Sequence, residues 1–591
     1  MTRITSMARG VEHEFTKISV ALSVTLGAVC LLSACARGEP PARGPARVVA
    51  PAVAPRLAQR IRIKLLGLND FHGQLSARVI DGRPVGGAAV LASYLKAAAA
   101  GFEGRTFIVH AGDQVGASPP NSALLQDEPA ITFLSSLANE SCGYAPAKND
   151  DCNVIGTFGN HEFDEGRDEI MRLIHGGNHA HGPFLEQTWR GARFGYVSAN
   201  VVEAKTGKPI LPPHAVRTVD GVPIAFIGAV LKDTPTIVTP TGVESLQFLD
   251  EADAINRSVK ELQARGIHAF VVQIHQGLEQ LRYQGPTDPK ASAPIGDLLG
   301  IIRRLDDDID VIVAGHTHQF VNALVANANG KAMLVTEALS ASRAFDDIDL
   351  TLDRTSGDVV EKTARIVTTY GDEGPGLTPD PAMVTLVASA DARVAPMVDR
   401  VMASSAVEIT RAPNEAGESA LGNLIADSQR SSMAADFALM NPGGIRADLP
   451  SGTVTWGNLF TAQPFCNTLV TVTLTGQQLY DLLNEQWGPL QPEGGRILQI
   501  SGFSYSWDSA RAEGSDRVLE IRLPNGKPIQ RQAAYRVVAN QFLIAGGDSF
   551  KVLRAGTDPV RGPIDLDALI AHLAKLPQPL GAPVRGRITR R

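Results

Sequence analysis

The sequence predicts an α/β protein of two domains, a larger one of layered β-sheets flanked by helices and a smaller α/β unit behind it. Three observations predict this. The chain has 591 residues, about four times the ~150 of a usual domain. From Ile61 to about Val367, short β-rich runs alternate with helical stretches, the pattern of sheets covered by helices. Of thirteen histidines, twelve lie at or before His318 and only His572 lies beyond, so metal-type chemistry, if present, belongs to the first half.

Composition narrows the class. With 44% hydrophobic and 20% charged residues, the chain is neither disordered throughout, nor a collagen-like fibre, nor a multi-span membrane protein. Net charge is −7, unevenly spread: residues 1–60 hold eight Lys/Arg against three Glu, leaving 47 against 59 in residues 61–591, or −12. Binding a nucleic-acid polymer calls for a basic surface, so none is expected outside a local pocket. Five cysteines are too few for a disulfide scaffold.

Taken in order, residues 1–17 carry three basic residues, and Ile18–Leu32 is an apolar run of fifteen. That run is short for a membrane span and right for a signal-peptide core. It ends in Leu32-Ser33-Ala34-Cys35, which resembles a bacterial lipobox whose Cys35 is lipidated and becomes the mature N-terminus. The alternative is ordinary signal cleavage, because Ala34-Cys35-Ala36 also fits a small-x-small site. The expectation is an exported, membrane-anchored lipoprotein facing the periplasm or cell exterior. Residues 36–60 are rich in Pro, Ala and Arg and read as a tether. In an exported chain Cys142 and Cys152, which flank a polar loop, are the natural disulfide pair, and Cys466 is expected as a buried thiol.

The catalytic region is expected over residues 61–367. Its strands read as IRIKLLGL, TFIVHAG, NVIGTFGN, PIAFIGAV, AFVVQIHQG and DVIVAGHTH, with helices at Ala88–Ala100 and Glu251–Arg265. Residues 368–400 are assigned as a linker around a Gly/Pro-rich stretch at 370–382. A second unit, residues 401–591, brings strands TLVTVTL and YRVVAN and helices GESALGNLIADSQR and TGQQLYDLLNEQ. No internal repeat is evident.

Five polar clusters directly follow expected strands: Asp70-Phe71-His72, Gly112-Asp113, Gly159-Asn160-His161-Glu162-Phe163-Asp164, His275, and Gly315-His316-Thr317-His318. Ligand sites in α/β sheets collect at the carboxyl ends of strands, so these loops can converge. In an extended Asp-x-His or His-x-His, alternate side chains face the same way. The donors are O and N without sulfur, which suits Zn²⁺, Mn²⁺ or a similar divalent ion. Asp113 is the lone Asp placed to bridge two metals. His110, His175, His179 and His181 are read as solvated and not as ligands.

This order of motifs resembles the calcineurin-like metallophosphoesterases, and Gly-Asn-His-Glu-Phe-Asp with the second half looks like the 5′-nucleotidases. The similarity covers residues 61–591. It implies two divalent metal ions, one held by Asp70, His72, Asp113 and His318, the other by Asp113, Asn160, His275 and His316. It makes His161 the catalytic histidine beside the phosphoryl group, oriented by Asp164, with Asn160 also part of the catalytic set. In the second half, Asn441-Pro442-Gly443-Gly444-Ile445-Arg446, Gln463-Pro464-Phe465 and the run from Asn540 to Asp548 match positions that bind nucleoside and phosphate. The resemblance places Asn441, Gly444 and Arg446 at the phosphate and ribose, stacks the base between Phe465 and Phe542, and gives Asp548 to the nucleoside. Two departures touch specificity. Residues 414–418 lack an Arg that the family often has, the nearest being Arg411, and Cys466 stands where Gly is usual.

The implied activity is release of phosphate from nucleoside 5′-monophosphates by a metal-activated hydroxide. Within the same family the alternatives are a 2′,3′-cyclic-nucleotide phosphodiesterase/3′-nucleotidase and a thiosulfate-ester hydrolase. A catalytically silent surface binding protein is the alternative from another class, but a pure binder has no physical need for His161 with Asp164.

Overall fold

The structure is a computed structural model that describes residues 59–144, 150–492 and 494–591. The signal-like segment, Cys35 and nearly all of the tether lie outside the described residues. Among the described residues, no helix is long and apolar enough to cross a membrane.

Two six-stranded sheets build the first half. The first runs, across the sheet, Val359–Thr368, Ala344–Asp353, Arg60–Leu68, Thr106–His110, Val154–Gly156 and Gly195–Tyr196. The second runs Phe320–Ala326, Ala332–Ala338, Ile309–Ala314, Phe270–His275, Val222–Val230 and His214–Val219. In the second sheet parallel inner strands are closed by antiparallel strands at both edges. In the first, the strands from Arg60–Leu68 to Gly195–Tyr196 run parallel, and Ala344–Asp353 and Val359–Thr368 join antiparallel at one side. The period-two pattern of Arg60–Leu68 explains its place. Ile61, Ile63 and Leu65 enter a core shared with Phe107, Phe226, Val271 and Val313 of both sheets, while Leu66 and Leu68 face a second core under the helices. Phe107 and Phe226 meet across the sandwich at 5.2 Å. The run at 153–160 yields only the three-residue strand Val154–Gly156, since the chain then turns into the Asn160–Asp164 loop.

His110 departs from the expectation that it is solvated. It is 1% exposed, both ring nitrogens lack partners, and its ring meets Phe194 and Tyr196 edge-on. Burial alone pushes it down to about 3, so it is a neutral core residue. His175 and His181 are exposed, as read from the sequence, and His179 is half-buried.

The second half has a five-stranded sheet in the order Gln499–Ser501, Phe437–Met440, Ala534–Asn540, Thr468–Thr475 and Thr557–Ile564. Helix Ala420–Met433 starts where Ser419 accepts the Gly422 N–H, and Thr475 with Gln478 forms a capping box for Gly476–Asn484. The connection between the halves differs from the expected linker at 368–400. It holds an 18-residue helix, Pro381–Val398, whose Met383, Ala390 and Val394 join the core under the first sheet. Asp380 caps it by accepting the Ala382 and Met383 N–H groups. Apolar contact with the catalytic half makes this segment part of the fold.

Cys142 and Cys152 form a disulfide. Cys466, expected as a buried thiol, is exposed instead. It adopts φ +49° in the turn between helix Trp456–Ala462 and strand Thr468–Thr475.

Candidate functional site

Strand ends from both sheets supply the donors. Asp70 and His72 follow Arg60–Leu68, Asp113 follows Thr106–His110, and Asn160 follows Val154–Gly156. His275 ends Phe270–His275, and His316 and His318 follow Ile309–Ala314. Five of these seven residues hold positive φ: Asp70 48°, His72 48°, Asp113 51°, His316 83° and His318 59°. Such conformations are costly for side chains of this kind and persist where the surroundings impose them. Here backbone bonds do so. The Asp70 N–H donates to Gly112 O and the His72 N–H to Asp113 O, while the His316 N–H donates to Asp70 Oδ2 at 2.9 Å. Gly159 is needed because a Cβ there would fall 2.2 Å from Asp113 Oδ1.

All seven expected metal ligands come together, in overlapping sets. Asp70, His72 and His318 form one group, and Asp113, His275 and His316 form another. His318 Nε2 lies 3.2 Å from both Asp70 Oδ1 and His72 Nε2. His275 Nε2 lies 3.0 Å from Asp113 Oδ2 and 3.2 Å from Asn160 Oδ1, and His316 Nδ1 is 3.0 Å from Asn160 Oδ1. Asp113 Oδ2 is also 3.8 Å from His72 Nε2, so this carboxylate stands between the two groups.

The donors fit divalent cations. His72 Nδ1 donates to Gly116 O at 2.9 Å and His275 Nδ1 to Ala111 O at 2.7 Å, which turns each Nε2 toward the carboxylates. Asp70 and Asp113 are 0% and 1% exposed and pair with no Lys or Arg among the described residues. Burial opposes their charge, and the surrounding imidazoles pull both carboxylates well below their ordinary range. Burial likewise opposes a charged His275, and Asp113 overrides it, holding that ring up to about 10. Buried carboxylates and imidazole nitrogens gathered around one space are a donor set for metal.

His161 stands next to this cluster. Its Nδ1 is 2.7 Å from Asp164 Oδ2, which leaves Nε2 as the free ring nitrogen. Burial disfavours its charge, but Asp164 and Asp113 raise its pKa overall. Its backbone N–H donates to Asp113 Oδ1 at 2.7 Å. Phe465 stacks on the His161 ring at 5.9 Å and 15°, so a residue from the second half covers the first.

A cleft of about 280 Å³ joins the halves, lined by Asn160, His161 and Asp164 on one side and by Asn441, Gly444, Phe465, Phe542 and Asp548 on the other. Asn441 Nδ2 donates to Asp548 Oδ2 at 2.8 Å, and Asn540 Nδ2 donates to Asn441 Oδ1 at 3.0 Å. Arg446 does not line the cleft. It is held among the charges of Asp113, Asp164 and Asp70, which oppose the lowering caused by burial and by Arg411.

Sequence reasoning missed several supporting residues. Glu162, 3% exposed, accepts backbone N–H groups of Asp113, Gln114 and Gly159 and so ties the metal loops together. Asn69 donates to Asp70 Oδ2 and to Leu339 O. Arg496 pairs with Asp548 at 3.0 Å. Glu162 and Asn69 adjoin the motifs, so their position was a signal; Arg496 carried none.

Comparison with known proteins agrees with this construction. Residues 63–320 match the calcineurin-like phosphoesterase family, and residues 401–555 match the 5′-nucleotidase C-terminal domain. Endonuclease YhcR of Bacillus subtilis (strain 168) is 35% identical over 538 residues, covering 89% of this chain and 41% of that protein. Cell wall protein Lmo0130 of Listeria monocytogenes is 32% identical over 532 residues, covering 84% of this chain and 64% of that protein. This chain therefore spans less than two thirds of either relative. Among solved structures, a 5′-nucleotidase precursor from Thermus thermophilus superposes with a TM-score of 0.72 at 28% identity, covering 90% of this chain and 99% of that one. The chain belongs to the phosphoesterase family that joins a calcineurin-like phosphoesterase domain to a 5′-nucleotidase C-terminal domain.

Proposed function

We propose that this protein is a two-metal phosphohydrolase that releases phosphate from nucleotides, with nucleoside 5′-monophosphates as its substrates. One observation carries the reading: Asn160 and His316 of the donor cluster and the His161–Asp164 pair line the same cleft as Phe465, Phe542 and Asp548. Asp70, His72, Asp113 and His318 would hold one divalent cation, and Asp113, Asn160, His275 and His316 the other. When bound, such cations supply positive charge against the phosphoryl oxygens and acidify water.

The chain's own groups do the rest. In hydrolysis, a water oxygen bonds to phosphorus, the P–O ester bond breaks, and the departing oxygen takes a proton. His161 Nε2 is the group placed to give that proton, or to donate a hydrogen bond where negative charge grows. Asp164 fixes the ring and favours its charged form. Phe465 and Phe542 give a nucleobase two apolar faces, and Asp548, braced by Asn441 and Arg496, offers a carboxylate to the nucleoside. A cleft of about 280 Å³ is the size of a small-molecule site.

A phosphate-release panel of nucleotides, run on metal-free and reconstituted protein, tests the reading. Release from 5′-monophosphates only after reconstitution is the expected result. No release from any phosphate ester would overturn it. Phosphodiester cleavage is a second reading, favoured by the 35% identity to a relative named as an endonuclease; the same panel with diesters separates the two. We also propose export with a lipid anchor at Cys35, supported by the Leu-Ser-Ala-Cys sequence at residues 32–35.

A further inference from the structure

Strand Ala332–Ala338 runs parallel to Ile309–Ala314, so its carboxyl end lies beside the loop that carries His316 and His318. Glu337, next to last in that strand, is fully buried and belongs to none of the sequence motifs. It meets two ligand-bearing loops at once. Its Oε1 accepts the Thr317 hydroxyl at 2.7 Å and the Gln319 N–H at 3.3 Å. Its Oε2 accepts the Leu278 N–H at 3.2 Å, in the loop that follows His275. The Thr317 hydroxyl also lies 2.8 Å from Leu278 O, which closes a ring of contacts through Leu278, Glu337 and Thr317.

The packing around this ring leaves no slack. A Cβ at Gly277 would fall 2.5 Å from both Glu337 Oε2 and Gly315 O, and 2.6 Å from Thr317 Oγ1, so the three segments meet at one point. Thr317 stands between two candidate ligands that both hold positive φ, 83° at His316 and 59° at His318. Backbone of that kind persists only where the surroundings impose it. The Thr317 side chain is tied to Glu337, whereas the imidazoles on either side reach Asn160 and Asp70, His316 Nδ1 lying 3.0 Å from Asn160 Oδ1 and His318 Nε2 3.2 Å from Asp70 Oδ1. The three groups that Glu337 accepts are uncharged. Burying a carboxyl in a core strand is unfavourable unless hydrogen bonds offset it, and here those bonds all go to the two ligand loops.

We infer that Glu337 is a positioning residue for the metal centre: through Thr317 and Leu278 it yokes the loop of His316 and His318 to the loop that follows His275, so that one buried carboxyl sets ligands of both cations. The inference rests on the two-metal reading above and deepens it. Groups that orient ligands from behind commonly change metal affinity by 10- to 100-fold when removed. Glu337 differs from Glu162, which holds the backbone of the Asp113 and Asn160 loops on the other sheet. Each sheet therefore has its own buried carboxyl behind its share of the donors.

The test titrates Mn²⁺ calorimetrically into the chelated full chain, records the visible spectrum of the Co²⁺-loaded protein, and measures the melting temperature of the chelated form. Thr317→Val and Glu337→Ala should each weaken Mn²⁺ binding by about tenfold or more and shift the Co²⁺ bands. Thr317→Ser, which keeps the hydroxyl, should restore parental affinity and spectrum. The double variant should bind Mn²⁺ more tightly than the product of the two single losses predicts, because both act through one link. A lower melting temperature of the chelated protein with unchanged Mn²⁺ affinity and Co²⁺ spectrum would make Glu337 merely structural and overturn the inference. Fully independent losses, or a Thr317→Ser variant as weak as Thr317→Val, would overturn it too. If Glu337→Ala does not fold, the comparison of Thr317→Val with Thr317→Ser decides the point. A parent chain that binds no Mn²⁺ would defeat the metal reading itself, and this inference with it; a parent that binds normally beside unaffected variants removes the inference alone.

Discussion

At the scale of single residues, the proposed reading gives His161 work in the transition state. Its Nδ1 is committed to Asp164, and its backbone N–H is committed to the Asp113 carboxylate, so only Nε2 faces the reaction. A donor whose partner charge develops only during bond breaking affects kcat more than binding. His161→Ala should therefore lower kcat by about 10²–10³ while KM and metal content stay near the parent's. Steady-state kinetics with elemental analysis checks this; normal turnover with normal metal would make His161 a structural residue. Glu162 should act differently. It accepts three backbone N–H groups and touches no substrate, so Glu162→Gln should lower metal affinity before it changes kcat at saturating metal. A metal titration of activity separates the two residues. Asp113 and His318 were legible because motif spacing announces ligands. Arg496 was not, because its partner Asp548 lies 52 residues away and nothing local marks the pair.

At the scale of elements, strands were legible wherever one face is buried. Ile61, Ile63 and Leu65 alternate with residues of the other face, and that period fixes both the strand and its register. The segment at 381–398 was not legible as part of the fold. Its buried residues, Met383, Ala390 and Val394, are few and widely spaced, and the Gly/Pro-rich stretch before it reads as a break. What holds the helix is its cap and its apolar contact with the first half. Asp380 is 7% exposed, accepts two helix N–H groups and pairs with Lys96. Asp380→Ala should destabilise the protein by about 0.5–2 kcal/mol through loss of the cap. Thermal or urea unfolding measures this, with the half-exposed Val384→Ala as the control expected to change little. Equal effects of both substitutions would mean that the cap contributes nothing and the segment is a passive connection. His110 teaches the same lesson from the other side: a histidine at a strand end looks like a solvated group until Phe194 and Tyr196 of the core under the helices pack against it.

At the scale of the whole molecule, each half contributes something the other lacks, and the cleft exists only where they meet. Chelation should remove about two divalent ions per chain and abolish hydrolysis of every substrate, with activity returning on addition of Zn²⁺ or Mn²⁺. Metal donors lie at or before His318 and the aromatic faces lie at Phe465 and Phe542, so mutations in the two halves should separate kinetically. Phe542→Ala should chiefly raise KM for nucleotides, by the equivalent of about 1–3 kcal/mol of stacking, and leave a baseless ester such as p-nitrophenyl phosphate nearly unaffected. Phe465→Ala should do the same and also disturb kcat slightly, because that ring lies against His161. Asp113→Ala should abolish both reactions, since its carboxylate stands between both donor groups. If the phenylalanines only filled space, their removal would lower the melting temperature and reduce both activities alike. A base-selective rise in KM at unchanged stability therefore assigns nucleoside binding to the second half, and a uniform loss with destabilisation removes it.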